Sequence, residues 1–274
     1  MIQILDFNGY YKNQTFYKGI PTTWVHLREL EGVNGYCDEE AKKEIMAKTA
    51  PYMQRCINQH KLPVSWIGSG NYHYNACLLV EQLKHPFSLV VFDHHPDMQP
   101  SFFSELLSCG CWVLHALKLP CLKEVVLLGV REELLQSLSE TLQINPLETS
   151  NPWLYQYEYN GKQIYGIKEG FFTPDHFSMK QLERWLKNWL SEPVYISIDK
   201  DVLLEQECPT TWDGGSMSLE QMLTICRHLK ENYSLAGVDV CGEGDAEETL
   251  SRNQSCNQAL AELFCRFIER SCYD

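Results

Sequence analysis

Short, almost continuously apolar runs alternate along the chain with longer amphipathic stretches. Runs such as Ser88–Phe92 are typical of strands covered on both faces by helices. The predicted strands are Ile2–Phe7, Val64–Gly68, Ser88–Phe92, Glu124–Gly129, Gln163–Ile167, Val194–Ile198 and Ser234–Val240. The predicted helices are Asp38–His60, His73–Lys84, Phe102–Leu119, Arg131–Leu142, Ser178–Leu190, Leu219–Glu231 and Gln254–Arg270.

This alternation of strand and helix predicts the α/β class, with a mostly parallel sheet inside a three-layer α/β/α sandwich. Because no linker, internal repeat or low-complexity tract interrupts the pattern, we expect residues 1–274 to form one domain. The segment from Glu140 to Gly170 departs from the pattern, and its Asn160-Gly161 pair indicates an irregular excursion with a short hairpin.

Composition narrows the classes of partner. Hydrophobic residues make up 44% of the chain and charged residues 22%, which is typical of a globular protein. The chain has 23 Lys and Arg against 36 Asp and Glu, so its net charge is −13. This acidic balance argues against nucleic acid and against an anionic membrane surface as partners.

The chain is expected to be cytoplasmic. No apolar run approaches the roughly 20 residues of a membrane-spanning helix, and Met1–Gly9 lacks the basic residues of a signal peptide. None of the twelve cysteines shows the two-residue spacing of a zinc knuckle or a thioredoxin-type motif. We therefore expect reduced thiols that pack as small hydrophobic side chains.

Ionisable side chains follow three of the predicted strands. His73 ends the turn after the second strand, the segment Asp93–Asp97 follows the third, and Asp199–Asp201 follows the sixth. Since the carboxyl ends of parallel strands meet at one edge of a sheet, these residues are expected to converge. A lone Asp-x-Asp is usually a turn or a helix cap, but the three groups together at one edge indicate a metal site.

The candidate ligands are His73, Asp93, His95, Asp97, Asp199 and Asp201. The set is rich in oxygen and lacks thiolates, so iron–sulfur and soft-metal sites are not expected. Four carboxylates in one crevice require compensation, and two divalent cations supply matching charge.

These residues resemble the metal motifs of the arginase (ureohydrolase) family, which includes arginase, agmatinase and formimidoylglutamase. The resemblance is carried by Asp93-x-His95-x-Asp97 together with Ser197-x-Asp199-x-Asp201. Weaker matches flank the two motifs: Gly68–His73 resembles the turn that supplies the first metal-binding His, Asp213–Glu220 resembles the loop and helix after the second motif, and Asp239–Glu243 resembles the segment with the substrate-binding Glu.

The resemblance implies an arginase-like fold and a hydrolase that holds two Mn²⁺ per chain. Such an enzyme cleaves a C–N bond of a small guanidino or linear amidine substrate, with hydroxide between the two ions as the nucleophile. By the same resemblance, one ion is held by His73, Asp93, Asp97 and Asp199, and the other by Asp93, His95, Asp199 and Asp201.

The resemblance also suggests catalytic roles. Asp201 would relay a proton, Glu243 would pair with the guanidinium group, and His115 would act as the proton shuttle. Homo-oligomer formation stays open.

The residues expected to set specificity depart from the family pattern. His94 stands where a small residue is more typical, Gln99 stands where an Asn is frequent, and Leu204-Glu205 replaces a frequent Asp-Pro. Gly242 is a second candidate for the place of the substrate-binding Glu. These departures favour a substrate other than arginine.

Two alternatives remain open at this stage. One is a deacetylase-type amidohydrolase of the same fold with a single Zn²⁺, held by Asp93, His95 and Asp199. The other is a protein that binds the metals without turnover.

Overall fold

The computed structural model describes residues 1–101, 106–245 and 247–265. Its strands are β1 (Ile2–Asp6), β2 (Thr22–His26), β3 (Tyr36–Cys37), β4 (Val64–Trp66), β5 (Phe87–Phe92), β6 (Leu107–Ser108), β7 (Leu122–Val130), β8 (Leu154–Tyr159), β9 (Lys162–Lys168), β10 (Val194–Asp199) and β11 (Leu235–Cys241). Its α-helices are α1 (Glu39–Asn58), α2 (Asn75–Val80), α3 (Trp112–Ala116), α4 (Glu132–Leu142), α5 (Met179–Trp189), α6 (Leu219–Asn232) and α7 (Leu250–Cys265).

Nine of these strands form the central sheet, in the order β2-β1-β4-β11-β10-β5-β7-β9-β8. Neighbouring strands are parallel except β8 and β9, which are antiparallel. The strands β3 and β6 form a separate antiparallel pair. The predicted mostly parallel sheet is confirmed.

Alternation along each strand divides the interior into two hydrophobic cores. Successive side chains of a strand point to opposite faces, so Leu89 and Val91 of β5 lie in one core and Val90 and Phe92 in the other. The first core contains buried residues of α1, α2, α3 and α4, and the second contains buried residues of α5, α6 and α7. Helices therefore cover both faces of the sheet, which confirms the three-layer sandwich.

The Asn160-Gly161 turn confirms the predicted hairpin. Both residues have positive φ, 52° and 71°, as the two-residue turns that match the twist of antiparallel strands require. The edge strand β2 was not predicted, because Thr22–His26 is only partly buried and has no continuous apolar run.

The predicted helix Phe102–Leu119 is wrong over most of its described part. Residues 107–111 form β6 and a 3₁₀ turn, and only Trp112–Ala116 is α-helical. The backbone here makes long-range hydrogen bonds: Cys109 N–H donates to the Gly35 carbonyl, and the Gly110 carbonyl accepts from Gln99 N–H. These long-range bonds take the place of the i to i−4 hydrogen bonds that a helix would form. Residues 102–105 of this prediction, and residues 266–270 of the last predicted helix, lie outside the described residues.

None of the helices in the described ranges has both the length and the apolar character needed to cross a membrane. The cysteines of the same ranges are free thiols, and most of them are buried.

Candidate metal centre

Four adjacent strands in the middle of the sheet, β4, β11, β10 and β5, end at the same edge. Asp93 follows β5, Asp199 ends β10, and the turn after β4 leads to His73. Between these ends lies a cleft of about 130 Å³. It is lined by Gly70, Asp93, His95, Pro96, Asp97, Gln99, Cys109, Gly110, Leu134, Asp199, Asp201 and Trp212.

His73 is surrounded by carboxylates. Its Nδ1 lies 3.1 Å from Asp93 Oδ2, 3.1 Å from Asp97 Oδ2 and 3.6 Å from Asp199 Oδ2. All four side chains are buried. His73 Nδ1 has no hydrogen-bond partner in the described part of the chain.

The opposite side of the His73 ring indicates why Nδ1 has no partner. Nε2 lies 2.9 Å from Ser197 Oγ, and the Ser197 hydroxyl donates to Asp239 Oδ1 at 2.8 Å. Because the hydroxyl hydrogen is used in this way, Ser197 Oγ accepts from Nε2–H, so that in the neutral ring the Nδ1 lone pair faces the carboxylates. A lone pair and carboxylate oxygens at 3.1 Å repel unless a proton or a metal ion lies between them, and three carboxylates around one ring nitrogen are a donor set that fits a metal ion.

His95 forms a second group with the shared carboxylate. Its Nδ1 lies 3.0 Å from Asp201 Oδ2 and 3.5 Å from Asp93 Oδ1. Its Nε2 faces Asp213 Oδ1 at 3.4 Å, an arrangement that orients an imidazole toward a metal. Asp93 thus directs one oxygen toward each histidine, which is the arrangement that a bridging ligand needs.

Asp97 joins the first group through an unusual backbone conformation. The backbone after Pro96 is not extended, because Asp97 has a φ of 50°, in the left-handed region. Aspartate tolerates this region better than most residues. Trp112 Nε1–H donates to Asp97 Oδ2 at 2.7 Å and fixes the carboxylate beside His73.

The pKa values reflect crowding of negative charge. Burial, together with the Asp201 charge, raises the pKa of Asp199 to about 7. Burial and the Asp93 charge likewise raise the pKa of Asp201. Burial alone would lower the pKa of His95, but Asp201 and Asp93 outweigh it and bring the pKa to about 11. Divalent cations would supply the positive charge that this crowding demands.

The turn after β4 approaches the site closely. A Cβ at Gly70 would lie 2.8 Å from Asp199 Oδ2 and 2.9 Å from Trp212 Cδ1, so only glycine fits without displacement. The Trp212 indole covers this turn, with its Nε1–H donating to Asn71 Oδ1 at 3.1 Å and its ring 5.5 Å from that of His95. Trp212 therefore forms one wall of the cleft.

Glu243 lies outside the cleft, in contrast to its expected role beside a substrate. Its carboxylate is buried and accepts hydrogen bonds from Gln14 Nε2 at 2.8 Å, from Asn257 Nδ2 at 2.8 Å and from Lys200 Nζ. Burial would lower the pKa of Lys200, but Glu243 offsets this and raises it above its usual value. The two form a buried ion pair at the end of β10.

Gly242, the second candidate for the place of the substrate-binding Glu, cannot be replaced by a residue with a carboxylate. It has a φ of 87°, and a Cβ there would lie 2.5 Å from Asp199 Oδ1. The backbone thus packs directly against a metal-ligand candidate. A glutamate at position 242 is incompatible with this conformation.

His115 is not brought to the cleft either. It lies on α3, and burial together with the charges of Lys118 and Lys42 lowers its pKa. Its absence from the cleft lining leaves the predicted shuttle role without structural support.

Cys241 is a possible ligand near the candidate centre that sequence reasoning missed. Its Sγ lies 3.2 Å from Asp199 Oδ2, and the ligand atoms of His73, Asp199 and Cys241 lie within 4.8 Å of one another. Two features of β11 account for this position. Cys241 lies two residues after Asp239, so both side chains point to the same face of the sheet. The pairing of β10 with β11 also aligns Cys241 with Asp199.

Comparison with known proteins agrees with this geometry. A profile of the arginase family matches residues 8–242. The chain belongs to the arginase family. It is 29% identical over 272 residues to an uncharacterized protein of Thermotoga maritima, covering 99% of this chain and 92% of that protein.

Two further similar proteins share less of their sequence with this chain. The N(1)-aminopropylagmatine ureohydrolase of Thermococcus kodakarensis is 26% identical over 175 residues, which cover 62% of this chain and 51% of that enzyme. The structure of arginase from Bacillus cereus superposes with a TM-score of 0.66 at 12% identity, covering 98% of this chain and 99% of that one. The structural likeness shows the shared fold.

Proposed function

We propose that this arginase-family protein is a hydrolase with two Mn²⁺ ions that cleaves a C–N bond of a small guanidino or amidine substrate. The observation that carries the proposal is Asp93, which directs one oxygen toward His73 and the other toward His95. A one-metal amidohydrolase has no need of the additional buried carboxylate of Asp97 beside His73.

The proposed ligands form two overlapping sets. One ion would be held by His73, Asp93, Asp97 and Asp199, and the other by Asp93, His95, Asp199 and Asp201. When bound, such a pair supplies a hydroxide nucleophile near neutral pH, because it lowers the pKa of water.

Asp201 remains the proposed proton relay. It lines the cleft, and its two oxygens have different partners. Oδ1 accepts a hydrogen bond from His94 N–H at 3.0 Å, and Oδ2 lies 3.0 Å from His95 Nδ1. A carboxylate held in this way can take a proton from a reacting group and release it at the cleft.

The cleft favours a compact substrate. Glu243 is bound to Lys200 and is not among the described residues that line the cleft, so it does not serve as the guanidinium partner expected from the family. Beyond the candidate metal ligands, the side chains that line the described cleft are Pro96, Gln99, Cys109, Leu134 and Trp212. With Gln99 as the amide in this wall, a short amidine or guanidino compound fits better than one with a long charged tail.

The test begins with metal-depleted protein titrated with Mn²⁺ while bound metal is counted per chain. Two ions per chain support the proposal, and one ion favours the single-zinc deacetylase-type alternative. The loaded protein is then supplied with arginine, agmatine, guanidinobutyrate, formimidoylglutamate and short amidines, and release of urea, ammonia or formamide is measured.

Two variants complete this test. Asp201→Asn is expected to abolish product release, whereas Glu231→Gln, which removes one exposed charge from α6, is expected to leave it unchanged. Two bound ions without turnover on any compound would instead favour a metal-binding protein that lacks activity. The structural reason for this alternative is that Glu243 is buried against Lys200.

A further inference from the structure

Among the buried cysteines of the described residues, Cys241 stands apart because its thiol lies within a group of candidate metal-binding side chains. It is the last residue of β11 and is fully buried. Its Sγ lies 3.2 Å from Asp199 Oδ2 and belongs with His73 to a group whose ligand atoms lie within 4.8 Å of one another. By contrast, Cys226 of α6 is surrounded by the apolar residues of the second core.

An independent feature indicates a cation at the same point. His73 is 1% exposed, and its Nδ1 lacks a hydrogen-bond partner within the described ranges while facing three carboxylates. The ring cannot turn away without losing its bond to Ser197. A cation that satisfies His73 and Asp199 would therefore also lie near the sulfur of Cys241.

We propose that Cys241 Sγ is a ligand of the ion on the His73 side of the centre. The proposal rests on the metal pair proposed above. When the metal–sulfur bond forms, the thiol proton leaves to solvent and the hydrogen bond from Cys241 to Asp199 is replaced by shared coordination.

A sulfur ligand makes the two metal positions chemically unequal. The position beside His95 would be surrounded by imidazole and carboxylates, a set that suits Mn²⁺. The position beside His73 would also have a soft sulfur donor, which favours Zn²⁺ or Co²⁺ over Mn²⁺. The centre would then bind a thiophilic ion more tightly at one position than at the other.

Cobalt reports the metal–sulfur bond directly, without any need for catalysis. Metal-depleted full-length protein is titrated with Co²⁺, and the near-ultraviolet charge-transfer absorption of a cobalt–thiolate bond is recorded together with bound cobalt per chain. We expect this absorption in the unsubstituted protein. Cys241→Ser is expected to lose it and still bind cobalt through the remaining ligands.

Cys109 provides the matched control, because its thiol is free and it lines the cleft among the described residues. Cys109→Ser should keep the absorption. In competition, Cys241→Ser should also lower the preference for Zn²⁺ over Mn²⁺ at one position by about tenfold or more, since even outer-shell changes cost 10–100-fold in metal affinity. Cys241→Val, with circular dichroism as a check of folding, provides a second variant without an oxygen donor.

Three outcomes would overturn the inference. The charge-transfer absorption could be missing although two Co²⁺ bind, in which case Cys241 only donates a hydrogen bond to Asp199. The absorption could persist in Cys241→Ser, or disappear in Cys109→Ser. Failure to bind any divalent ion is a different result, because it removes the proposed metal pair itself.

Discussion

Lys200 lies between the metal-ligand candidates Asp199 and Asp201, and its ion pair with Glu243 keeps that carboxylate out of the cleft. Strand β10 ends at Asp199, and Lys200 Nζ extends away from the cleft to Glu243 and to Asn253 Oδ1 at 2.7 Å. The ammonium group is fully buried. A buried ion pair of this kind contributes little net stability compared with an apolar pair, but breaking it leaves one buried charge without a partner.

We predict that Lys200→Met destabilises the protein by about 3–5 kcal/mol, because Glu243 is left buried and unpaired. The free energy of unfolding is measured by denaturant titration. The double variant Lys200→Met with Glu243→Gln should recover more than half of the loss. Lys187→Met, at an exposed position of α5, is the control and should change stability by less than about 0.5 kcal/mol. Equal losses in the single and double variants would contradict the ion-pair account.

The candidate ligands differ in how many ions they should affect. We predict that Asp93→Ala lowers the affinity for both ions, because Asp93 lies next to both histidines, at 3.1 Å from His73 and 3.5 Å from His95. His73→Ala should weaken mainly one ion. Isothermal titration with Mn²⁺ counts the sites and measures their affinities. Parallel loss of both ions in His73→Ala would show that the two groups do not act as separate positions.

At the scale of elements, the turns after the strands decide which side chains meet. Strand β4 has only three residues, and the turn that follows it passes so close to β10 that Gly70 touches Asp199. The segment after β5 changes direction through the left-handed Asp97. Both turns are held by side chains from distant elements, Trp212 and Trp112.

We predict that Gly70→Ala weakens metal binding on the His73 side by about tenfold or more, because the new methyl group displaces Asp199 or Trp212. Gly110→Ala is the matched control, since Gly110 also lines the cleft and a Cβ there has no atom within 4 Å. Metal affinity is measured by titration for both variants. If the two variants bind metal equally well, the close approach of Gly70 to Asp199 does not contribute to metal binding.

At the scale of the whole molecule, an acidic chain buries several carboxylates at one edge of its sheet. The chain carries a net charge of −13, and four carboxylates of the candidate centre are buried at adjoining strand ends. Such a concentration opposes folding until cations bind. Metal binding and the stability of the entire fold are therefore expected to be linked.

We predict that removal of metal with a chelator lowers the melting temperature and that Mn²⁺ restores it. An ion present at 100 times its dissociation constant adds about 2.7 kcal/mol to the stability of the native state. For a chain of this size class, each kcal/mol raises the melting temperature by roughly 2–4 °C. Calorimetry with and without Mn²⁺ measures the shift, and Asp93→Ala should show little of it. An unchanged melting temperature in the unsubstituted protein would count against a buried metal pair.

The amino-acid sequence by itself determined the strand–helix alternation, the seven inner strands and the hairpin at Asn160-Gly161, because periodicity and turn chemistry are local properties. It also located His73, Asp93 and Asp199 at strand ends, since a parallel sheet brings such ends together. These predictions needed no knowledge of how distant side chains pack.

Only the tertiary structure decided the directions of particular side chains. The left-handed backbone at Gly242 and the buried Lys200 direct Glu243 away from the cleft, and the pairing of β10 with β11 aligns Cys241 with Asp199. His115 lies on α3, outside the described lining of the cleft. Each of these outcomes depends on contacts between segments far apart in the chain, and local sequence patterns carry no record of them.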